Sequence, residues 1–219
     1  MRLILVRHFR TQSNEARRIM GWGDSPPVKD WESDLLAVDT LLRDRQLVFD
    51  AIHSSELDRA RQTALYYARR RGHAGVQTHA AFNEVHYGDL FGMDKEAAAR
   101  DYPEFKKNPD FVFPGGESFR QMQARSLGQV LELAARHPAQ TLLLVVHAGV
   151  IRALICHFLD LDLAANLRRK VAHRYIGDFQ LEAGRCQRYD ELGQPSGFVR
   201  DGLLSLPWVG PASEPVPLS

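Results

Sequence analysis

Residues 141–159, TLLLVVHAGVIRALICHFL, predict a buried strand, a tight turn and a helix in immediate succession. The first six residues are short and apolar, which is typical of a strand covered on both faces of a parallel sheet. The small pair Ala148-Gly149 then leads into a predicted helix, Val150 to Leu159. His147 therefore stands at the carboxyl end of a strand, where open α/β sheets bind their ligands.

The start of the chain repeats this arrangement. Residues 3–8, LILVRH, place Arg7 and His8 directly after a short apolar strand, predicted over Arg2 to Val6. The carboxyl ends of parallel strands lie at one edge of a sheet, so we expect this pair beside His147. Two imidazoles and a guanidinium in one crevice predict an anion-binding site that contains a nucleophile.

The rest of the chain alternates between helical and strand patterns. The further predicted helices are Thr11 to Met20, Ser33 to Arg45, Glu56 to Arg71, Asp94 to Asp101, Pro103 to Lys107 and Ser118 to Arg136, and the further strands are Asp50 to His53, Val76 to Thr78 and a closing hairpin of Val171 to Leu181 with Arg185 to Tyr189. This alternation favours an α/β fold with a single doubly wound, mostly parallel sheet and helices on both faces. We divide the chain into a domain over residues 1–192 and a Pro/Gly-rich C-terminal tail over residues 193–219, which we expect to be loosely held.

The composition excludes several classes of partner. Twenty-eight basic and 27 acidic side chains leave a formal charge of +1, so the chain has no electrostatic footprint for nucleic acid or an anionic membrane. The longest apolar stretch contains His147, Arg152 and His157, which argues against a membrane span. The first residues lack a signal-peptide pattern, so we expect a cytoplasmic protein. Cys156 and Cys186 have no metal-type spacing and are expected to be structural thiols.

Four segments carry polar groups that this topology would bring to one crevice. They are residues 7–14 (RHFRTQSN), 54–64 (SSELDRARQTA), 82–92 (FNEVHYGDLFG) and 145–154 (VVHAGVIRAL). Arg59 lies one turn into a predicted helix, and Glu84 lies in a loop. The backbone N–H groups of Ala148 and Gly149, at a helix N-terminus, suit a phosphate oxygen.

Together these segments resemble the histidine phosphatase superfamily, which includes the cofactor-dependent phosphoglycerate mutases. The resemblance covers about residues 2–160 and keeps the family's motif order, which makes the joint pattern specific. It implies a phosphoglycerate mutase-like fold and a phosphorylated histidine at His8, beside Arg7. It also implies four further site residues. Arg59 is the arginine of the S-x-L-x-R-A-x-x-T segment, and Glu84 is the acid of the N-E segment. His147 is the second histidine, and Asn14 is an asparagine of the phosphate pocket.

The chemistry of phosphate monoesters fits these assignments. An attacking imidazole must be neutral, and neighbouring arginines disfavour its protonated form, whose ordinary pKa is about 6.5. Arg7 and Arg59 would hold the phosphoryl group by forked hydrogen bonds, and His147 would stabilise charge on its oxygens. Glu84 would protonate the leaving alkoxide and then activate water. No step needs a metal ion or another cofactor.

Two positions depart from the family pattern. Phe9 stands where the family usually has glycine, and we expect an ordinary backbone there, with the ring reshaping the wall of the site. Arg10 stands where the family often has a carboxylate or amide, and it either faces solvent or pairs with a second anionic group of the substrate. In the latter case the basic segment Arg168 to Arg174 would contribute. Trp22 either lines the mouth of the substrate site or is a packing aromatic.

We therefore predict a metal-independent phosphatase whose ligand is a small phosphorylated metabolite. Mutases of the family usually have a longer insertion between the acid and the later helix, whereas Glu84 and Ser118 are only 34 positions apart. This compact segment and the PGGES sequence resemble the small phosphatases, including the α-ribazole and broad-specificity types. A phosphoglycerate-type mutase and a phosphate-binding relative with little turnover are the alternatives. A homodimer is expected because family members often form one.

Overall fold

The computed structural model describes residues 1–194 and 196–198, which fold around a six-stranded sheet. The strands are β1 (Arg2–Arg7), β2 (Ala51–Ser55), β3 (Gln77–His79), β4 (Thr141–Val146), β5 (Ile176–Glu182) and β6 (Arg185–Glu191), in the spatial order β3-β2-β4-β1-β5-β6. The pairs β2–β3, β2–β4 and β1–β4 are parallel, while β5 runs antiparallel to both of its neighbours. The predicted mostly parallel sheet is confirmed.

Helices cover both faces of this sheet. They are α1 (Gln12–Glu15), α2 (Trp31–Asp44), α3 (Asp58–Arg71), α4 (Lys95–Asp101), α5 (Phe119–Arg136), α6 (Ala148–Phe158) and α7 (Leu163–Asn166). Alternate residues of β1 enter opposite cores: Leu3 and Leu5 join one with residues of α5 and α6, and Ile4 and Val6 join the other with residues of α2 and α3. The doubly wound arrangement follows from apolar residues on both sides of the central strands.

Three predicted elements differ from the structure. The helix predicted over Thr11 to Met20 ends after one turn, because Arg17 adopts a left-handed φ of 57° and the chain then buries Ile19. Residues 103–107 form turns rather than a helix, with Lys106 also left-handed at φ 53°. The closing hairpin begins at Ile176, since residues 171–175 leave the sheet and pass beside His8.

The start of the predicted tail is packed against the domain. Phe198 is buried in the core beside α7, and the Arg169 guanidinium lies 5.0 Å from the centroid of its ring. Residues 196–198 are therefore held, contrary to the expectation of a loose tail from residue 193. Residue 195 and residues 199–219 of that predicted segment lie outside the described residues. Within the described chain, Cys156 is buried as predicted, and no helix is long and apolar enough to cross a membrane.

Candidate active site

A pocket opens at the carboxyl edge of β1, β2 and β4, and we call it the site pocket. Seven of the residues predicted from the sequence line it: Arg7, His8, Asn14, Arg59, Glu84, Ala148 and Gly149. His147 lies behind this lining, with its ring centroid 5.1 Å from that of His8. Arg10 and Trp22 do not line the site pocket. The parallel order β2-β4-β1 produces this clustering, since each strand delivers its following residue to the same edge.

The His8 ring is held in one tautomer. Its Nδ1 lies 2.6 Å from the carbonyl oxygen of Phe9, which can only accept a hydrogen bond, so Nδ1 carries the proton. Nε2 therefore keeps its lone pair. Burial, followed by the positive charge of Arg59, holds the pKa of His8 well below 6.5. A neutral imidazole with a free nitrogen is what a nucleophile at phosphorus requires.

The His147 ring has one satisfied and one unsatisfied nitrogen. Its Nε2 lies 2.6 Å from the Ser55 hydroxyl, which can donate to it and leave the proton on Nδ1. That Nδ1 is buried and has no hydrogen-bond partner among the residues the structure describes. A buried donor without a partner is unfavourable unless a ligand oxygen accepts from it. Burial again lowers the pKa of the ring, so it is neutral at pH 7.

Two buried guanidinium groups supply positive charge to the site pocket. Arg7 donates from Nη1 to the Val171 carbonyl at 2.5 Å, and Arg59 donates to the carbonyls of Gly21 and Gly23 at 2.7 Å each. In both arginines Nε is buried and unpartnered within residues 1–194 and 196–198. Burial lowers the pKa of Arg7 to about 10, which still leaves it charged at pH 7. Buried cations with free N–H donors form a site for an anion.

The Glu84 carboxylate occupies the N-terminus of α6. Its Oε2 accepts from the Gly149 N–H at 3.0 Å, and its Oε1 accepts from the Val85 N–H at 3.0 Å. A Cβ atom at position 149 would lie 2.1 Å from Oε1, so only glycine permits this approach. The helix N-terminus that the sequence assigned to a phosphate thus holds the acid at the edge of the site pocket.

The loop that carries Glu84 is fixed by side chains from two other segments. Arg125 of α5 donates to the carbonyls of Asn83 and Glu84 at 2.8 and 3.0 Å and pairs with Glu117 at 2.5 Å. The Trp22 indole N–H also donates to the Glu84 carbonyl, at 2.6 Å. Trp22 therefore holds the backbone of the acid, and it is not among the residues that line the site pocket. The PGGES sequence supplies Glu117, which also accepts from the N–H of His86 at 2.9 Å.

The departures from the family pattern have separate outcomes. Phe9 keeps a negative φ, as expected, but its ring packs 4.9 Å from that of Trp31 in the core, so it does not reshape the wall of the site. Arg10 is half-exposed, with Nη1 3.7 Å from Glu15 Oε1, and lines a neighbouring cavity.

Sequence reasoning did not assign several residues that line the site pocket. The charged and polar ones are Arg18, Tyr87, Lys95, Lys106 and Arg152. Burial, followed by the charges of Arg152 and Lys95, lowers the pKa of Lys106 to about 7. Arg18 follows α1, three of the others lie in the segment after Glu84, and Arg152 lies on α6; no pattern in the sequence distinguishes these pocket side chains from surface or core ones.

Comparisons with known proteins identify the family of the chain. The model of the histidine phosphatase superfamily (branch 1) matches residues 3–190. A 2,3-bisphosphoglycerate-dependent phosphoglycerate mutase of Xanthobacter autotrophicus is 33% identical over 70% of this chain and 78% of its own. The structure of a mycobacterial glucosyl-3-phosphoglycerate phosphatase is 28% identical, with a TM-score of 0.76 over 89% of this chain and 99% of its own. A candidate α-ribazole-5′-phosphate phosphatase from Escherichia coli is 25% identical, with a TM-score of 0.75 over 89% and 97%. The chain therefore belongs to the histidine phosphatase superfamily.

Proposed function

We propose that this chain is a metal-independent phosphatase that hydrolyses small phosphate monoesters through a phosphohistidine at His8. The observation that carries the proposal is the neutral His8 ring, whose Nε2 is free because Nδ1 donates to the Phe9 carbonyl. It stands in a pocket with two buried guanidinium groups, Arg7 and Arg59. These cations supply the charge stabilisation that phosphoryl transfer needs.

In the first step His8 Nε2 attacks phosphorus, and the bond from phosphorus to the ester oxygen breaks. Protonated Glu84 gives its proton to the departing alkoxide, so the alcohol leaves neutral. The unpartnered Nε–H groups of Arg7 and Arg59 and the Nδ1–H of His147 would donate to the phosphoryl oxygens. Their donors are already fixed by the protein, so little reorganisation accompanies the reaction.

In the second step water attacks the phosphorus of the phosphohistidine, and the bond from nitrogen to phosphorus breaks. Glu84, now a carboxylate, takes a proton from that water, and His8 returns as a neutral imidazole. The acid stays in place for both steps because Gly149 and the Arg125 contacts hold its side chain and its backbone. Inorganic phosphate and the free enzyme are the products.

A phosphoglycerate-type mutase is the second candidate, because curated relatives at 30–33% identity have that activity. The short segment between Glu84 and Ser118 favours hydrolysis, since a site open to water loses its phosphoryl group to solvent. The mycobacterial phosphatase structure, which this chain matches over 99% of its length, supports the same choice. The third candidate, a phosphate-binding relative with little turnover, was suggested by Phe9 and Arg10, and the backbone at Phe9 has an ordinary negative φ, so Phe9 brings no backbone strain to the site.

The test is inorganic phosphate release from a panel of phosphate monoesters with chelator present. Wild type, His8→Ala and His53→Asn are compared, since His53 is a buried histidine outside the site pocket. We expect release by wild type and His53→Asn and none above background by His8→Ala. Isomerisation of phosphoglycerate that depends on a bisphosphorylated cofactor, without net hydrolysis, would establish the mutase instead. We also propose that the protein is cytoplasmic and forms a homodimer. Size-exclusion chromatography with light scattering tests the oligomeric state.

A further inference from the structure

A second cavity, of about 480 Å³, adjoins the site pocket. The linings of the two cavities share Arg7, Asn14 and Lys95. We call this second cavity the basic groove. Its other charged lining residues are Arg10, Glu15, Asp34, Lys170 and Arg174. The two cavities therefore meet at Arg7, Asn14 and Lys95.

The basic groove concentrates positive charge. Five cationic side chains line it, Arg7, Arg10, Lys95, Lys170 and Arg174, against the two carboxylates Glu15 and Asp34. The whole chain has a formal charge of only +1, so this excess is local. His173 adds no charge at pH 7, because burial lowers its pKa to about 3. A cleft lined by one sign of charge attracts ligands of the other sign.

Two of the groove cations, Arg10 and Arg174, are paired with carboxylates, whereas the two lysines are not, within the described residues. Arg10 lies 3.7 Å from Glu15 with both side chains about half exposed, an arrangement that solvent screens strongly. Arg174 pairs with Asp34 at 2.7 Å, and its side chain is half exposed. Lys170 and Lys95 form no ion pair with any carboxylate in the described part of the chain.

The basic run at residues 168–170 does not act as one solvated face. Arg169 turns away from the basic groove, donating to Asn166 at 2.8 Å and to the Gly197 carbonyl at 2.5 Å. Lys170 lines the groove, and the chain then brings Arg174 to it as well. His173, between them, lies 3.1 Å through Nδ1 from the His8 carbonyl oxygen, which ties this segment to the nucleophile.

We infer that the basic groove binds a second anionic group of the substrate. The substrates of this chain are then phosphate monoesters that carry another phosphate or a carboxylate on the same molecule. Arg10, Lys170 and Arg174 contact that second group, which undergoes no reaction. This inference rests on the proposed function, because it takes the site pocket as the place of the scissile phosphate.

The test compares monophosphates and bisphosphates of the linear diols from ethane-1,2-diol to hexane-1,6-diol. Each pair differs only in the second anionic group, and the series varies its reach. We expect wild type to prefer the bisphosphate, after correction for its two scissile groups, at one or more chain lengths. Arg10→Ala and Lys170→Ala each lower the ratio of kcat/KM for the bisphosphate to that for the monophosphate by about fivefold, as for one exposed ion pair. Lys170→Glu lowers it further.

Arg136→Ala is the matched control, since Arg136 pairs with Glu132 of its own helix and lies outside the basic groove. It removes the same charge and leaves the ratio at the wild-type value. Equal ratios in wild type and in all groove variants would overturn the inference. A fall in the ratio with Arg136→Ala as large as with Lys170→Ala would also overturn it, because the effect would then be one of net charge.

A separate measurement distinguishes failure of the groove from failure of the proposed function. If wild type releases no phosphate from any diol phosphate, the phosphatase proposal fails, and the dissociation constants of the same compounds are measured by calorimetry. Tighter binding of the bisphosphate in wild type, weakened in Arg10→Ala and Lys170→Ala, still supports the groove as an anion site. Equal affinity for monophosphate and bisphosphate contradicts it.

Discussion

Two close pairs of histidines lie in or directly after strands of this sheet, and one of them, His8 with His147, lies at the site pocket. The ring centroids of His8 and His147 are 5.1 Å apart, and those of His53 and His79 are 5.2 Å apart. Burial is the main cause that lowers the pKa of all four rings. Proximity and neutrality therefore do not distinguish a reactive pair from a structural one.

Among the described residues, rings of both pairs have one partnered and one unpartnered nitrogen, so the pairs differ mainly in their place along the strands. Nδ1 of His53 and Nε2 of His79 form a hydrogen bond of 3.0 Å with each other, so one nitrogen of each ring is partnered by the other ring. His8 donates from Nδ1 to the Phe9 carbonyl and keeps Nε2 free beside the site pocket, whereas the unpartnered Nε2 of His53 is buried on β2. His53 stands in the middle of β2, away from the strand ends where the arginines gather. A free nitrogen at the carboxyl edge is what prepares His8 for chemistry.

The largest expected effect separates the pairs directly. His8→Ala removes the proposed nucleophile, and we expect kcat/KM for phosphate release to fall on the order of 10⁴-fold or more. His53→Asn, which keeps a side chain able to hydrogen bond with His79, should stay within a few-fold of wild type. Steady-state assays on an aryl phosphate measure both. Comparable losses in the two variants would show that His8 is no more important for catalysis than His53.

The next effect concerns Glu84, which lines the site pocket together with His8. Glu84→Gln keeps the shape of the side chain but cannot transfer a proton, so we expect kcat for an alkyl phosphate to fall about 10²- to 10⁴-fold. The loss in the first step should be smaller for 4-nitrophenyl phosphate, whose leaving group departs without protonation. Burst kinetics on the two substrates measure that step. Equal losses on both substrates would remove Glu84 from the role of general acid.

The structural pair should be visible in the pH dependence of stability. Burial lowers the pKa of His53 to about 4, against about 6.5 in the unfolded chain, so protons bind the unfolded state more readily. The contribution of His53 to the free energy of unfolding is fully present above pH 6.5. As pH falls toward 4, up to about 3 kcal/mol of it is lost. Urea unfolding of wild type and His53→Asn at pH 7, 5.5 and 4 measures it. The difference in the free energy of unfolding between the two proteins should change with pH. A difference that stays constant from pH 7 to pH 4 would contradict the lowered pKa of His53.

The smallest effect comes from the support of Glu84. Arg125→Lys retains the charge but loses the forked contacts to the Asn83 and Glu84 carbonyls, and we expect kcat to fall about tenfold through misplacement of the acid. The loss should be larger for an alkyl than for an aryl phosphate. Arg120→Ala, which removes an exposed arginine of the same helix, is the control. An equal loss on both substrates would make Arg125 a stabilising residue without a positioning role.

Much of the fold could be predicted because its signals are local. The apolar runs before His8 and His147 identify buried parallel strands, and the parallel arrangement alone brings both rings to one edge. A helix was predicted to begin at Thr11, and the structure places a capping box there. The length of that helix was wrong, because Arg17 takes a left-handed conformation that neither composition nor periodicity indicates.

The parts that were missed depend on contacts between distant segments. Lys95 and Lys106 reach the site pocket through the path of residues 85–117, which is mostly loop apart from α4, and Arg152 reaches it from α6. Trp22 was predicted to face substrate or to pack, and its bond to the Glu84 carbonyl joins residues 62 positions apart. The side-chain direction of Phe9 was also not predictable, since it depends on Trp31.

The most direct test of the account is to trap the phosphoryl group on the enzyme. Wild type is mixed with an aryl phosphate, quenched in base within milliseconds and digested, and the phosphorylated peptide is sequenced by mass spectrometry. The account predicts one acid-labile phosphohistidine, at His8, that forms and decays at rates consistent with kcat and is absent from His8→Ala. Phosphate release by wild type with no such intermediate, or with the phosphoryl group on His147 or His53, would contradict it.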